Sequence, residues 1–338
     1  MSNVKEEINS NESQVEDNEE TIKLKFDEDG NVKITRRNEL TPYFKDSDNR
    51  KNKIHLSAVP EICKIEPCQL GVDEAGRGPV LGPMVYGISY APLSRKQLLF
   101  DLGCADSKSL TEQTRDAIFD KICKHDEEMG WAVEVISPNF ICNSMYKRSK
   151  SSLNEVSMNS AIGLITKAVE AGVNIEEVYV DTVGPPESYQ AKLKKLFPDF
   201  KIVVAKKADS TYPIVSAASI CAKVSRDHAL RAWQFVEGIS IESDFGSGYP
   251  NDPMTKSWLK RNIDPVFGFP QIVRFSWSTA ETILNSEAVP VEWEPEENAL
   301  TNQDISHFFT KSPQKSVKVH KSKHAFFTER HLSSATDL

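Results

Sequence analysis

Three short segments of this chain end in acids in a way that could do chemistry. CQLGVDEAG, EEVYVDTVG and KIVVAKKAD each read as an apolar strand closed by a carboxylate: Asp73 with Glu74, then Asp181, then Asp209. In α/β sheets, ligands gather at the carboxyl ends of the strands. If the three strands are neighbours, four carboxylates converge. Each like-charged pair at about 4 Å then repels by up to ~4 kcal/mol at an effective dielectric near 20. Such a cluster persists when it is protonated or bridged by cations. Mg²⁺ suits it, being a hard ion held by a few carboxylates, waters and phosphate oxygens. Two such ions, roughly 3.5–4 Å apart, give in-line phosphodiester hydrolysis. One acid alone would read as a helix N-cap or a solvated turn; three in succession favour the cluster. Consecutive strand residues face opposite ways, so Asp73 and Glu74 can both contribute only if the backbone bends. The Ala-Gly-Arg-Gly that follows is the expected place for that bend.

Gly76, Arg77 and Gly78 come next, and glycine lets backbone amides approach a ligand closely. A dinucleotide loop is a poor match. Gly76, Gly78 and Gly82 miss the GxGxxG spacing by one, Pro79 follows directly, and the next segment reads as strand. Asp73 and Glu74 would also repel a pyrophosphate. There is no GKS or GKT phosphate loop and no GxSxG elbow. Hydrolysis by two cations needs no side-chain nucleophile, so that absence fits. His320, His324 and His331 lie in a basic stretch without nearby cysteines and read as ordinary surface residues.

The elements that must position these residues form a recognisable order. VLGPMVYGISYAPL reads as a second strand, with its two glycines marking bends, and WAVEVISP as a third. Between them, TEQTRDAIFDKICKH has helical spacing, with Ile118, Phe119 and Ile122 on one side. Leu153 to Ala171 is expected to be a helix closed by Gly172, and ESYQAKLKKLF another. PIVSAASICAKVSRDHALRAWQFVE opens with Pro213 at a first-turn position. Its Ile214, Ala217, Ala218, Cys221 and Ala222 form a narrow stripe of small residues suited to close packing on a sheet. Small helices are expected within residues 252–285. Meander strands followed by β-α-β units imply an α/β fold, a mixed β-sheet flanked by helices on both faces, with a small C-terminal helical part.

Composition excludes several classes. With 39% hydrophobic and 27% charged residues, and no apolar run near 18 residues, a membrane span is not expected. The opening MSNVKEEINSNESQVEDNEE has neither a basic nor an apolar leader, so secretion is not expected. Six cysteines without a CxxC pair disfavour a zinc ribbon and read as buried thiols in a reducing compartment. The net charge of −8 is uneven. Residues 1–48 hold 13 acids against 7 basic residues, leaving only −2 for the other 290. An acidic tail can therefore conceal a basic groove. Residues 1–52 are expected to be a disordered extension, although TIKLKF alternates like a strand. A catalytic domain is expected over 60–285, its helical part at roughly 250–285. Residues 286–338 read as linker and tail, partly disordered. The Lys/Ser-rich run from Ser312 to Lys323 reads as a solvated segment or a nuclear-import signal.

The motifs GVDEAGRGPVLGPMV, ADSKSL, YVDTVG, KKAD with YPIVSAASICAKVSRD, and GSGYPNDP together resemble the type 2 ribonuclease H family. With the ending HLSSATDL they resemble the catalytic subunit of its heterotrimeric eukaryotic members. The resemblance runs from about Pro60 to Thr282 and resumes near the C-terminus. It implies a ribonuclease H-like fold and cleavage on the 5′ side of ribonucleotides, in RNA/DNA hybrids and embedded in duplex DNA. It implies that Asp73, Glu74, Asp181 and Asp209 are catalytic metal ligands for Mg²⁺ or Mn²⁺. Gly76, Arg77 and Gly78 would contact the ribose 2′-OH and adjoining phosphates, and Tyr249 the neighbouring sugar. Lys108 and Arg226 would lie on the phosphate side. Two non-catalytic partner subunits, on which the tail end would dock, and a nuclear role in replication and repair are implied as well. Asn302, Ile305, Phe308 and Phe309 resemble a sliding-clamp-binding peptide, with packing on the protein's own partners as the plainer reading. A catalytically silent scaffold would be expected to lack one of the acids, and a DNA-only nuclease would not need Gly-Arg-Gly with Tyr249.

Overall fold

A computed structural model describes residues 24–26, 32–45, 47–104, 110–182, 184–237 and 245–290. The elements run β1 (Lys25–Phe26), β2 (Val32–Lys33), α1 (Leu40–Lys45), β3 (Lys53–Leu56), α2 (Glu61–Ile65), β4 (Cys68–Ala75) and β5 (Met84–Pro92). Next come α3 (Lys96–Asp101), α4 (Glu112–Lys124), β6 (Gly130–Ile136), α5 (Pro138–Tyr146), α6 (Leu153–Glu170) and β7 (Ile175–Asp181). The rest are α7 (Pro186–Leu196), β8 (Lys201–Ala205), α8 (Ala208–Thr211), α9 (Pro213–Arg231), α10 (Pro253–Arg261) and α11 (Ser278–Glu287). β1 and β2 pair as a small antiparallel ribbon, and the other six strands form one sheet in the order β3-β6-β5-β4-β7-β8.

The sheet is mixed for a physical reason. β4, β5 and β6 pair antiparallel, as does β3 with β6. β7 and β8 run parallel to β4 because the crossovers before them carry α6 and α7. The three acid-bearing segments thus lie side by side as β4-β7-β8.

α9 covers one face and is buried nearly all round, not only along its small-residue stripe. Small residues let it approach closely. A Cβ at Gly71 would lie 2.3 Å from the Ile214 carbonyl oxygen, and one at Gly87 would lie 2.6 Å from that of Ala218. Gly87 therefore marks helix–sheet contact and not a bend. The expected second strand begins at Met84; Gly82, at φ +81, belongs to the loop before it. The opposite face packs on α6 and α7, in a core that includes Leu70, Val72, Leu164, Ile165 and Leu193. α6 begins at a capping box of Ser152 and Glu155 and is followed by Gly172 at φ +91. Ile118, Phe119 and Ile122 of α4 are buried together, as their spacing predicts.

The expected disorder of residues 1–52 is corrected for residues 32–45 and 47–52. Leu40, Tyr43 and Phe44 enter the α9-side core, and buried Glu39 accepts the Thr35 N–H at 2.6 Å. Low apolar density misled there because three aromatic and aliphatic side chains on one short helix suffice once α9 offers them a surface. All six cysteines are free and buried. No described helix is long and apolar enough to cross a membrane. A third core joins α10 and α11 to the loop before β5 through Val80, Leu81, Trp258, Leu259, Ile272, Val273, Ala280 and Ile283. The chain divides into Met1–Val289 and Pro290–Leu338, and of the second unit only Pro290 is described. The basic run and the clamp-like peptide lie outside the described residues.

Candidate active site

The β4–β7 register runs to Val72↔Val180, so Asp73 and Asp181 are the next residues on adjacent parallel strands. Asp209 is not at a strand end. β8 stops at Ala205, Lys207 takes a left-handed turn at φ 55, and Asp209 sits buried in the short helix α8. Asp181 Oδ1 accepts the Ala208 N–H at 3.0 Å, which ties β7 to that helix.

The bend expected over Ala75–Gly78 falls at Gly76, at φ +75, past the end of β4, and so does not turn Glu74. The β4–β5 ladder is regular through Ala75↔Val85, with Asp73 opposite Gly87 and Glu74 opposite Tyr86. The two acids therefore straddle the strand end: Asp73 faces α9, and Glu74 faces the α6 and α7 side. Their charges nonetheless meet. Burial, then the Glu74 charge, then that of Asp181 hold the Asp73 carboxyl well above the usual carboxylate range, while Ser219 and the Glu74 N–H pull the other way. Glu74 also raises the phenols of Tyr86 and Tyr189, already raised by burial. Asp73 Oδ1 accepts the Glu74 N–H at 2.7 Å, and its Oδ2 is buried with no hydrogen-bond partner among the described residues.

These residues fit a hard divalent cation. The donors are all carboxylate oxygens, and a cation would relieve both the repulsion and the orphaned Asp73 Oδ2. Among the described residues no three His, Cys, Asp or Glu side chains close into a preformed cage. Mg²⁺ does not require one, because it keeps several waters and takes only one or two carboxylates.

The segment from Gly76 to Pro83 is held from beneath by two buried arginines. Arg274, fully buried, donates Nη2–H to Gly76 O at 2.7 Å, Nη1–H to Arg77 O at 3.0 Å and Nε–H to Gly82 O at 2.8 Å. Arg226 donates to Pro83 O at 3.0 Å and Leu81 O at 3.2 Å. Trp277 Nε1–H takes Gly78 O at 3.1 Å, and Gly248 O accepts the Val80 N–H at 2.8 Å. The carbonyls of Gly76, Arg77 and Gly78 are thus all engaged, while none of their N–H groups donates among the described residues. Gly76 is required here: at φ +75, a Cβ would lie 1.9 Å from Arg226 Nε. Burial lowers the Arg226 guanidinium, and burial with the nearby Arg226 charge brings Arg274 down to about 9.

Arg226 is therefore placed under the loop, only 6% exposed, and not on a phosphate-facing surface. Sequence reasoning missed Arg274, although a charged residue inside the apolar run IVRFSW is the signal that marks it. Arg77 reaches Asn154 and Ser157 at the start of α6. Tyr249 is 52% exposed, and a Cβ on Gly78 would meet its Cε1 at 3.2 Å, so the ring lies over the glycine loop. Asp252 caps α10 as expected, accepting the Met254 N–H at 2.9 Å. Lys108 lies outside the described residues.

The sequence pattern of the ribonuclease HII family matches residues 70–280, a span that takes in all four acids, the glycine loop, Tyr249 and Arg274. The chain belongs to the ribonuclease HII family. It is an endoribonuclease, and its fold is ribonuclease H-like. It is 53% identical over 285 residues to the A subunit of ribonuclease H2 from Bos taurus, covering 83% of this chain and 94% of the relative. The structure of ribonuclease H2 from Pyrococcus horikoshii OT3 superimposes with a TM-score of 0.54 at 34% identity, covering 65% of this chain and 98% of that one. The PCNA:RNase HII complex from Archaeoglobus fulgidus gives 0.53 at 31% identity, covering 64% and 96%. A ribonuclease HII organised this way keeps three acids on β4 and β7, the fourth on α8 beside them, and its glycine loop on a separate arginine-held shelf.

Proposed function

We propose that the chain hydrolyses the phosphodiester on the 5′ side of ribonucleotides, both in RNA/DNA hybrids and where one ribonucleotide is embedded in duplex DNA. The observation that carries this reading is a glycine loop with all three carbonyls tied inward, beside a buried carboxylate pressed by two others. Asp73, Glu74, Asp181 and Asp209 would hold two divalent cations, Mg²⁺ or Mn²⁺. When bound, such cations supply positive charge against the scissile phosphate and make water a better nucleophile.

The chain's own residues do the reading. With their carbonyls engaged, Gly76, Arg77 and Gly78 present N–H donors to the ribose 2′-OH and adjoining phosphate. A site built to bond a hydroxyl rejects the analogue lacking it by roughly 10⁴–10⁵, and the 2′-OH is what separates RNA from DNA at one position. Tyr249 lies flat on the neighbouring sugar, and Lys108 serves a phosphate. The bovine relative is one subunit of a larger enzyme, which supports assembly with further subunits; we take these to be two and non-catalytic. The PCNA complex of the Archaeoglobus relative supports a clamp contact, for which Asn302, Ile305, Phe308 and Phe309 are the candidate peptide, with packing on the protein's own partner subunits as the plainer reading. Replication and ribonucleotide removal would place the protein in the nucleus. The test is incubation of duplex DNA carrying one ribonucleotide with Mg²⁺ and mapping of the cut. A single cut 5′ of the ribonucleotide is expected; a cut on its 3′ side, or equal cutting of all-DNA duplex, overturns the proposal.

A further inference from the structure

We propose that a second nucleic-acid contact surface runs from the Gly78 loop along the end of α5 to a cationic recess at Arg50–Lys51, and that it holds the phosphate backbone of the duplex flanking the reacting nucleotide. This rests on the duplex-substrate reading above. The surface begins at Trp277, which bonds Gly78 O and lines an open recess with Arg77, Gly78 and Met145. Directly beyond, Tyr146 and Phe275 stack with ring centroids 5.7 Å apart and an interplanar angle of 13°, and both rings are exposed. Tyr146 then lines a larger recess of ≈ 620 Å³ together with Asn143, Lys147, Arg50, Lys51 and Asn52.

Charge says what this surface takes. In a chain of net −8, residues 135–154 contain Lys147, Arg148 and Lys150 and not one acid. Lys147 and Lys150 make no ion pair among the described residues, whereas Asp48 is bridged to Arg50 at 2.8 Å and to Lys51 at 3.9 Å. Cations interleaved with flat exposed aromatics and amides match a sugar-phosphate strand. The recesses follow one another from the very loop that would read the ribose. A duplex longer than the reacting nucleotide must leave that loop along some path, and this path offers it cations unpaired among the described residues, beside exposed rings, with Glu281 the acid that faces Tyr146.

The experiment measures binding of the full chain in EDTA, where nothing is cut, so it does not depend on catalysis. Ribonucleotide-containing duplexes are extended by 6, 12 or 18 base pairs on one side or the other, and wild type is compared with the Lys147→Ser/Lys150→Ser variant. Each phosphate contact contributes about 0.9 to the slope of log K against log salt. The variant should lose about 2 from that slope and about tenfold in affinity on duplexes extended to one side. On the shortest duplex its affinity should match wild type, and its melting temperature should be unchanged. Equal affinity of variant and wild type on every length overturns the proposal. So does an equal loss for extension on either side, which would mark diffuse charge. Normal duplex binding with impaired assembly with partner subunits would assign the surface to protein instead. Failure of wild type itself to prefer ribonucleotide-containing duplex would indict the substrate reading and not this surface.

Discussion

Arg274 is a buried cation whose partners are backbone carbonyls, and replacing it by Gln separates two effects that usually travel together. The guanidinium donates to three carbonyls at 2.7–3.0 Å. A Gln amide can keep one of them. Hydrogen bonds from charged donors contribute roughly 1.5–3 kcal/mol each, so two lost bonds cost roughly 3–6 kcal/mol. Against this, burial and the Arg226 charge bring Arg274 from 12.5 to about 9, which corresponds to roughly 5 kcal/mol of unfavourable charge burial that the neutral variant relieves. The two nearly cancel. Arg274→Gln should therefore move the melting temperature by less than about 5 °C. Activity should not be spared. Gly76 O and Arg77 O lose their anchor, and a misplacement on the order of 1 Å costs about 10²-fold. The assay is kcat/KM on duplex with one ribonucleotide, alongside thermal melting, with Arg274→Lys as the companion. Lysine keeps the charge but loses the fork, so it should fall with Gln and not with wild type. Wild-type kcat/KM in Arg274→Gln would refute the positioning argument. A fall of more than about 10 °C with full activity per folded molecule would make Arg274 a stability residue only.

Asp73→Asn should lower cleavage by orders of magnitude and yet raise the melting temperature of the metal-free protein, because it removes a buried charge repelled by Glu74 and Asp181. About 1 kcal/mol relieved is roughly 2–4 °C, and the stabilisation that added Mn²⁺ gives wild type should shrink; near-normal turnover would sink the metal assignment. Gly76→Ala places a Cβ 1.9 Å from Arg226 Nε at φ +75, so melting temperature and activity should fall together. Gly78→Ala only nudges the Tyr249 ring, 3.2 Å away, so it should melt normally while cleaving single ribonucleotides worse than long hybrids; equal behaviour of the two variants would contradict this. Tyr249→Ala should likewise spare stability and favour long hybrids, and a parallel loss of melting temperature and both activities would make the residue structural. His55, buried against Tyr43 and Trp131, has its pKa pulled from 6.5 to about 4, chiefly by burial. The unfolded chain then takes up a proton between pH 6.5 and 4 that the native state refuses. Stability is full above 6.5 and falls by up to roughly 3 kcal/mol on acidification. His55→Phe should flatten that fall in urea midpoints measured at about pH 7.5 and 5; an unchanged slope would assign it to other groups.

The acid-bearing strands were legible because a strand end with a carboxylate is a local pattern, and their adjacency followed from parallel β-α-β connection. Asp181 and Asp73 sit as that pattern demands. Asp209 departs from it because Lys207 turns left-handed and starts α8, and nothing in KKAD announces a positive φ at lysine. The role of Gly87 was misread for a related reason. A glycine inside a strand signals either a bend or a close neighbour, and only tertiary contact with α9 decides. Arg226 was expected on the phosphate side only from the resemblance of its motif, and a motif does not say whether a basic residue points to solvent. Its burial depends on the carbonyls of Leu81 and Pro83, which lie 145 and 143 positions earlier in the chain.

The electrostatic design resolves an opposition visible in the composition. A chain of net −8 with a carboxylate cluster should repel a polyanionic duplex. At physiological ionic strength the Debye length is about 8 Å, so the distant acidic residues are largely screened and only the local charges matter. Locally, Arg226 and Arg274 lie buried directly under the glycine loop, and their hydrogen bonds go to carbonyls, which leaves their full charge in place. The loop above them therefore carries backbone donors on a positive base, next to acids that cations would neutralise. A lone arginine on the surface could bind a phosphate as well, but it could not also fix three carbonyls and so hold the loop's donors. That double demand explains why the charge is buried, its desolvation offset by the carbonyl hydrogen bonds, where an exposed residue would have met only one half of it.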